Sequence, residues 1–218
     1  MHKVNRTKIP ASLQLNAKEW TSNLLSQIAA CGGYDKVLDV YKNKYRQLDV
    51  QAALADMYSN RCCYCESLIG IQTFGRIEHL KPKSNPYFYQ LSFDWNNLHW
   101  ACEVCNTRYK KTNWNFFYPI LDPSKDDIDK YMKLNTMNGE YETDRGNQRA
   151  ETTILHTGLN RDSLISARRR LIIKITRYYK EFKTLGKEAE YLNYLRTDMI
   201  IEEYPTVYQT VIDELSSL

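Results

Sequence analysis

Apolar residues in the first sixty positions recur every three or four residues, which is helical spacing. The pattern covers residues 17–30, and Gly32 and Gly33 end it. Asp49 is positioned to cap a second helix over VQAALADMY, which runs into the first cysteines. The pattern therefore predicts a helical N-terminal segment over residues 1–60.

The middle of the chain predicts shorter elements. Residues 66–80 predict a short hairpin that is broken by Gly70 and Gly75. The segment from Cys102 to Asn113 contains no helix breaker, so we expect a helix there.

The last hundred residues again predict regular elements. YMKLNTMNGEYET indicates two strands joined by an Asn138-Gly139 turn. Asn160 is positioned to cap a long helix over 161–184, and the remainder is helical apart from a break near Pro205. The apolar stripe of the long helix consists of Leu164, Ala167, Leu171, Ile175, Tyr178 and Phe182.

Helices at both ends and short strands between them predict an α+β fold. We expect three regions: an N-terminal helical segment (1–60), a core that contains the cysteine pairs (61–118), and a hairpin with C-terminal helices (119–218). Of the 218 residues, 43% are hydrophobic and 26% are charged, as is usual for globular proteins. No apolar run reaches the roughly 20 residues of a membrane span. The basic N-terminus has no apolar region behind it, so we expect a cytoplasmic protein.

The net charge of +4 is distributed unevenly along the chain. Residues 161–187 contain nine Lys or Arg and two Asp or Glu, whereas 188–218 contain one and seven. Three interpretations stay open for the basic block: contact with nucleic acid, pairing with the acidic end, or docking of a partner. A solvated helix face is the plainest alternative.

Two cysteine pairs share one spacing, Cys62-x-x-Cys65 and Cys102-x-x-Cys105. In a reducing compartment this spacing is typical of a metal site rather than of disulfides. Two such knuckles complete a closed tetrahedral zinc site, so we expect a structural Zn²⁺. Cys63 lacks the spacing and is interpreted as a small packing residue.

Chemically active side chains lie between and after the knuckles. Glu78-His79 falls between them, Asn97 precedes the second, and Asn106 follows its last cysteine. This order resembles the HNH endonucleases, the ββα-metal or His-Me finger superfamily, in the subset with a four-cysteine zinc. The resemblance covers residues 62–111.

The resemblance implies a role for each of these residues. Glu78 and Asn106 would hold a catalytic Mg²⁺ or Mn²⁺, His79 would be the general base, and Asn97 would orient it. Adjacent residues on a strand point to opposite faces, so Glu78 can face the metal while His79 faces the substrate. An imidazole of pKa roughly 6.5 can accept a proton from water near neutral pH.

The sequence departs from the family pattern in two places. Glu78 stands where the family usually has Asp, and Tyr109 stands where many relatives have Lys. We therefore expect the phosphate contact of that lysine to move to Lys110 or to be absent. The candidate nucleic-acid-binding residues are Lys81, Lys83, Lys110 and Lys111.

The flanking segments carry a second resemblance. NRTKIPASL, YPILDPSKDD and TILHTGLNRDSLISARRRLI are similar to the HNH nuclease subunit of Septu and retron-associated anti-phage systems. This implies an ABC-type or SMC-like ATPase partner and a toxic nuclease that is restrained until infection. DNA and RNA both stay open as substrates.

Two other functions remain as alternatives. The chain could be a zinc-stapled nucleic-acid-binding or adaptor subunit without catalysis, but such a module would not need Glu78, His79, Asn97 and Asn106 together. It could also be a free-standing restriction-type HNH nuclease, which would not need the acidic C-terminal helices as a partner surface.

Overall fold

The computed structural model describes residues 1–70 and 74–217, which form helices and two small antiparallel sheets. The α-helices are α1 (Ala11–Cys31), α2 (Asp39–Lys42), α3 (Leu48–Met57), α4 (Gln148–Thr157), α5 (Asp162–Thr184), α6 (Glu188–Ile201) and α7 (Pro205–Ser216). The strands are β1 (Gly75–His79), β2 (Leu98–Cys102), β3 (Met132–Leu134) and β4 (Tyr141–Thr143). The α+β prediction is confirmed.

The N-terminal helices form as predicted, but the predicted cap does not. α1 ends at Gly32, which adopts a left-handed conformation with φ 71°. Asp49 lies inside α3, and its carboxylate accepts hydrogen bonds from the backbone N–H and the hydroxyl of Ser12 (2.9 and 2.7 Å). Asp49 therefore binds the first turn of α1 instead of capping its own helix, a partnership 37 residues away that local pattern cannot reveal.

The first sheet pairs β1 with β2, in the register Gly75↔Cys102 to His79↔Leu98. The hairpin predicted over 66–80 is wrong in its described part, because the partner of β1 lies beyond it; residues 71–73 lie outside the described residues. Gly75 is required where it stands, since a Cβ there would lie 1.9 Å from Trp100 Cζ2. The sheet brings the second knuckle beside the strand that carries Glu78 and His79.

The segment after β2 is helical, as predicted, but it is wound as a π-helix over Val104–Lys110. The hydrogen bonds of a π-helix span one residue more than those of an α-helix, and π-helical turns are frequent at functional sites. The segment packs against β2 and α4.

The second sheet is the predicted hairpin, β3 paired with β4, with its turn at Gly139 (φ 78°). The predicted helix after it also forms as α5, but Asn160 does not cap it. The Asn160 side chain instead bonds both backbone groups of Tyr141, each at 2.8 Å. Asn160 thus fastens the hairpin to the start of α5.

The C-terminal helices pack on one another and on the core. The break near Pro205 is confirmed, because Tyr204 adopts φ 58° between α6 and α7. Arg61, directly before the first knuckle, donates to the carbonyl oxygens of Met199 and Glu202 (3.3 and 2.7 Å) at the end of α6. One cluster of buried side chains extends from the N-terminal segment through β2 to α7.

The basic face of α5 is not neutralised by the acidic end of the chain. Within residues 1–70 and 74–217, the one ion pair between the two blocks is Lys187–Glu190 at 3.9 Å, at the junction of α5 and α6. Arg170, Lys174 and Arg177 are exposed on α5. None of the helices in the described part of the chain has the length and apolarity to span a membrane.

Candidate active site and metal centre

The four cysteines predicted to bind metal converge in the interior. The Sγ atoms of Cys62, Cys65, Cys102 and Cys105 all lie within 4.8 Å of one another, and all four residues are buried. The Cys65 and Cys102 sulfurs are 3.8 Å apart. A tetrahedral ion with Zn–S bonds of about 2.3 Å requires sulfurs about 3.8 Å apart, so the cluster has the size of a metal site.

One cation and one backbone N–H contact the sulfurs of the cluster. Arg161 Nη1 lies 3.4 Å from Cys105 Sγ, and the Cys105 backbone N–H donates to Cys102 Sγ at 3.4 Å. Burial alone would lower the pKa of Arg161, but the negative charge of Cys105 and Cys65 outweighs it and raises that pKa. Arg161 therefore balances part of the thiolate charge that a bound dication would leave. Cys63 is buried, and its backbone N–H donates to Trp100 rather than to the cluster.

Glu78 is a buried carboxylate with defined partners. Its Oε1 atom lies 2.7 Å from Lys110 Nζ and accepts a hydrogen bond from the Tyr64 hydroxyl at 3.1 Å. Burial raises the pKa of Glu78, while the Lys110 charge opposes that rise. No side chain in the described part of the chain donates to Oε2. Glu78 also lines the main cavity, so its carboxylate is placed where a ligand in that cavity can reach it.

Lys110 is buried, and it does not take the position of a phosphate contact that we expected for it. The side chain is 1% exposed, and its ammonium donates to the His79 carbonyl oxygen as well as to Glu78. Tyr109 packs elsewhere: its ring lies where a Cβ on Gly158 would stand. A turn of a π-helix holds more residues than a turn of an α-helix. Lys110, which is four residues after Asn106, therefore points close to the direction that a lysine three residues after Asn106 would take in an α-helix.

A backbone carbonyl holds the His79 side chain in one tautomer. Its Nε2 atom lies 2.9 Å from the Ser92 carbonyl oxygen, which can only accept, so Nε2 carries the proton and Nδ1 has the lone pair. The Tyr45 ring meets the imidazole edge-on at 4.6 Å. Burial, followed by the charge of Lys83, lowers the pKa of His79 to about 3. The imidazole is therefore neutral at physiological pH.

Asn97 fixes the loop that leaves β1. Its Oδ1 accepts from the Lys81 N–H (2.8 Å), and its Nδ2 donates to the carbonyls of Lys81 and Leu91 (3.0 and 3.2 Å). The backbone of Asn97 also accepts from the Leu80 N–H at 3.0 Å, so Asn97 holds the two residues directly after His79 through its main chain and its side chain.

The main cavity joins these residues. It measures about 600 Å³ and has Glu78, His79 and Asn106 in its wall. Its charged lining is otherwise Arg46, Arg76, Lys83, Lys111 and Glu103. Cations outnumber carboxylates four to two in this lining, which favours an anionic ligand.

The remaining candidate lysines differ in position. Lys111 is exposed at the cavity, whereas Lys83 is half-buried and donates to Asn43 Oδ1 and the Tyr45 hydroxyl (2.9 and 3.0 Å). Burial lowers the pKa of Lys83. Lys81 is outside the cavity, with its ammonium 5.6 Å from the centre of the Phe88 ring.

Sequence reasoning missed several supporting residues. Arg6 reaches across the chain to the carbonyl oxygens of Trp95 and Leu98 and to His99 Nε2. The opposite nitrogen of His99 lies 2.6 Å from the Tyr58 hydroxyl. His99 is thus a packed residue in β2. The sequence feature that could have indicated Arg6 is its place in the NRTKIP stretch.

Comparison with known proteins agrees with this geometry. Residues 62–112 match the family model described as HNH endonuclease. The chain is similar to the Septu protein PtuB of Bacillus mycoides (strain KBAB4), with 25% identity over 87% of this chain and 79% of the relative. It is also similar to the Septu protein PtuB of Bacillus thuringiensis, with 30% identity over 39% of this chain and 32% of that relative. Both resemblances inferred from the sequence are confirmed.

Proposed function

We propose that this protein is a divalent-metal-dependent HNH nuclease that hydrolyses phosphodiester bonds in DNA or RNA. We also propose that it is the toxic effector of an anti-phage complex with an ATPase subunit. The observation that carries the first proposal is that His79, oriented by the Ser92 carbonyl, shares one cationic cavity wall with Glu78 and Asn106. The similarity to Septu PtuB proteins supports the second.

In the proposed reaction each residue has one task. His79 Nδ1 accepts a proton from the attacking water, and the Ser92 carbonyl keeps the other nitrogen protonated. Glu78 and Asn106 would hold Mg²⁺ or Mn²⁺, which when bound supplies charge stabilisation at the phosphate and the departing 3′ oxygen. Lys111 faces the cavity and would hold the substrate backbone, with Lys83 behind it; Lys81 would act further out.

Lys110 has a different proposed task. Its ammonium binds both Glu78 Oε1 and the His79 carbonyl oxygen, so it fixes the two catalytic residues relative to one another. A buried cation with these partners cannot reach a phosphate without breaking a buried ion pair. We propose that Lys110 is a positioning residue.

In the four-cysteine cluster we propose structural Zn²⁺. Four thiolates without an oxygen ligand suit zinc rather than Mg²⁺ or Mn²⁺, which prefer oxygen ligands. A closed four-cysteine site has no open position for substrate, so this metal would staple the fold and leave catalysis to the cavity.

Metal dependence tests the nuclease proposal directly. Purified protein is incubated with DNA and with cellular RNA, each in a series of Mg²⁺ and Mn²⁺ concentrations. We expect Glu78→Gln and Asn106→Ala to need more metal than the wild type for half-maximal cleavage, with partial rescue by Mn²⁺, because the first loses the negative charge of a ligand and the second loses a ligand oxygen. Glu103→Gln is the matched control, since Glu103 lines the same cavity but pairs with Arg76.

Absence of any cleavage by the wild type and its complex, in either metal and on either polymer, would support the non-catalytic adaptor alternative. Equal metal dependence in the Glu78, Asn106 and Glu103 variants would contradict the assigned ligands. Cleavage without any partner effect would favour the free-standing nuclease.

The exposed face of α5 is the proposed partner surface. Arg170, Lys174 and Arg177 surround Ile173, which is 62% exposed. Residues three and four apart share a helix face, so this apolar side chain stands among the cations. A phosphate backbone would gain nothing from Ile173, whereas a protein partner would cover it.

Charge reversal on that face separates the two kinds of partner. We expect Arg170→Glu, Lys174→Glu and Arg177→Glu together to break the complex with the ATPase, because exposed charge patches steer and orient docking. Binding of labelled DNA and RNA should be unchanged. Co-purification and a nucleic-acid shift assay measure the two effects side by side.

A matched triple reversal at exposed Lys8, Lys36 and Lys133 controls for the net charge change. We expect the control protein to retain its partner. Retained partner binding with lost nucleic-acid affinity in the α5 variant would instead assign that face to the substrate.

A further inference from the structure

Aromatic side chains meet beside the cavity in an arrangement that the catalytic residues do not use. The Phe88 ring packs against Trp114 and Phe116 at centroid distances of 5.3 and 5.7 Å, and Tyr87 meets Phe116 at 5.3 Å. We call these four residues, together with the adjacent Phe117, the aromatic rim.

The aromatic rim faces solvent to an unusual degree. Tyr87, Phe116 and Phe117 are 72%, 55% and 88% exposed. A cluster of large exposed rings normally marks a binding surface, because burying those rings elsewhere would stabilise the fold. Asn115 fixes the backbone that carries two of the rings, since its Oδ1 accepts from the backbone N–H groups of Phe117 and Tyr118, each at 3.0 Å.

The rim is tied to the main cavity through the chain. Its two segments both leave the cavity wall: Ser84 lines the cavity three residues before Tyr87, and Thr112 lines it two residues before Trp114. Since a residue spans at most about 3.6 Å of chain, the rim begins within about 11 Å of that wall.

The surroundings of the rim are cationic. Lys81 places its ammonium over the Phe88 ring. Lys111 lines the cavity, and in the sequence it lies between Asn106 and the rim residue Trp114. Exposed rings beside a cationic path form the combination by which proteins bind unpaired bases, with stacking on the rings and phosphates along the cations.

We propose that the aromatic rim is a stacking platform for unpaired bases, so that the substrate class is single-stranded nucleic acid or an unpaired stretch beside the scissile bond. This inference rests on the proposed function, because it extends the path of a polymer whose phosphate reaches Glu78 and His79. A paired duplex keeps its bases stacked on each other and offers the rings nothing comparable.

Binding measurements test the platform without relying on cleavage. The probes are fluorescein-labelled single-stranded dT and U oligonucleotides of 20 residues and a 20-base-pair DNA duplex, titrated with full-length protein carrying His79→Ala to prevent cutting. We expect Tyr87→Ala and Phe116→Ala each to weaken single-strand binding by about 5- to 100-fold, and duplex binding by less than about twofold.

Two control variants identify the kind of contact that is lost. Tyr194→Ala removes a ring that is 61% exposed on α6, and it should leave both affinities unchanged. Lys111→Gln should weaken binding and reduce the slope of log Kd against log salt by about 0.7, as expected for one phosphate contact on a single strand. The rim variants should weaken binding with the slope unchanged, because stacking releases no counterions.

Each outcome decides the proposal. Unchanged single-strand affinity in both rim variants, or equal losses on single strand and duplex, would overturn it. Rim variants that bind oligonucleotides normally but lose the ATPase subunit would show a protein interface instead. If the wild type binds single strands through the rim, yet neither it nor its complex cuts either polymer, the nuclease proposal is refuted and the platform stands.

Discussion

Replacing Cys62 or Cys102 with serine is expected to unfold the core around the four-cysteine cluster. Metal binding by such a cluster contributes folding free energy on the order of 10 kcal/mol, which is comparable to the whole stability of a domain. We expect metal analysis of the wild type to find about one tightly held zinc per chain. The serine variants should lose that zinc and their cooperative thermal transition in circular dichroism.

The loss should not stay local. Arg61, next to the first knuckle, holds the end of α6, and Glu66, next to its last cysteine, accepts from the hydroxyl and the N–H of Thr206 in α7 (2.6 and 3.2 Å). A knuckle that opens releases both contacts. We therefore expect the C-terminal helices to lose protection from hydrogen exchange together with the core.

Cys63→Ser is the matched control, since Cys63 is buried beside the knuckle but is not one of the four cysteines whose sulfurs converge. It should keep the zinc and melt cooperatively at a moderately lower temperature, with a loss of about 1–3 kcal/mol for a buried polar substitution. A zinc-free Cys62→Ser protein that still melts cooperatively and still cuts nucleic acid would contradict the staple.

Local signals predicted most elements of the fold. The Gly32 stop, the Asn138-Gly139 turn and the Pro205 break each depend on the conformation of a residue and its immediate neighbours, and the structure has all three where expected. Paired cysteine spacing predicted the cluster for a similar reason, because the knuckle is itself a local turn.

Partnerships over long distances in the chain could not be predicted in the same way. Asp49 and Asn160 have the chemistry of helix caps, but tertiary partners, Ser12 and Tyr141, compete for their side chains. The partner of β1 was misassigned because strand pairing has no signature in a single strand of five residues. A π-helical turn likewise differs from an α-helical one only in how its neighbours pack.

The same distinction applies to the candidate site. The motif order identified Glu78, His79 and Asn106, which the structure places in one cavity wall. It did not identify Tyr64, Ser92 or the burial of Lys110. Those contacts depend on backbone carbonyls and buried charge, which no residue pattern along the chain records.

His79→Ala is expected to abolish detectable cleavage of whichever polymer the wild type cuts. Removal of a general base costs about 10²–10⁴-fold in rate, and no other imidazole is in the described lining of the cavity to replace it. Initial rates on labelled substrate, measured at saturating metal, give the loss directly. The zinc content should be unchanged, because His79 is not one of the four residues whose ligand atoms converge at the cluster.

Stability separates this effect from simple unfolding. His79 donates one hydrogen bond to Ser92 and is buried, so its truncation should cost about 1–3 kcal/mol, far less than the loss of the metal. His99→Ala is the informative comparison: it loses contacts to Arg6 and Tyr58 and should lower the melting temperature further while retaining measurable cleavage. If His79→Ala cut at the wild-type rate, or if His99→Ala were the inactive variant of the two, the base would have to be another residue. If instead the more stable of these two proteins is the inactive one, the loss of activity belongs to the chemistry of His79 and not to the fold around it.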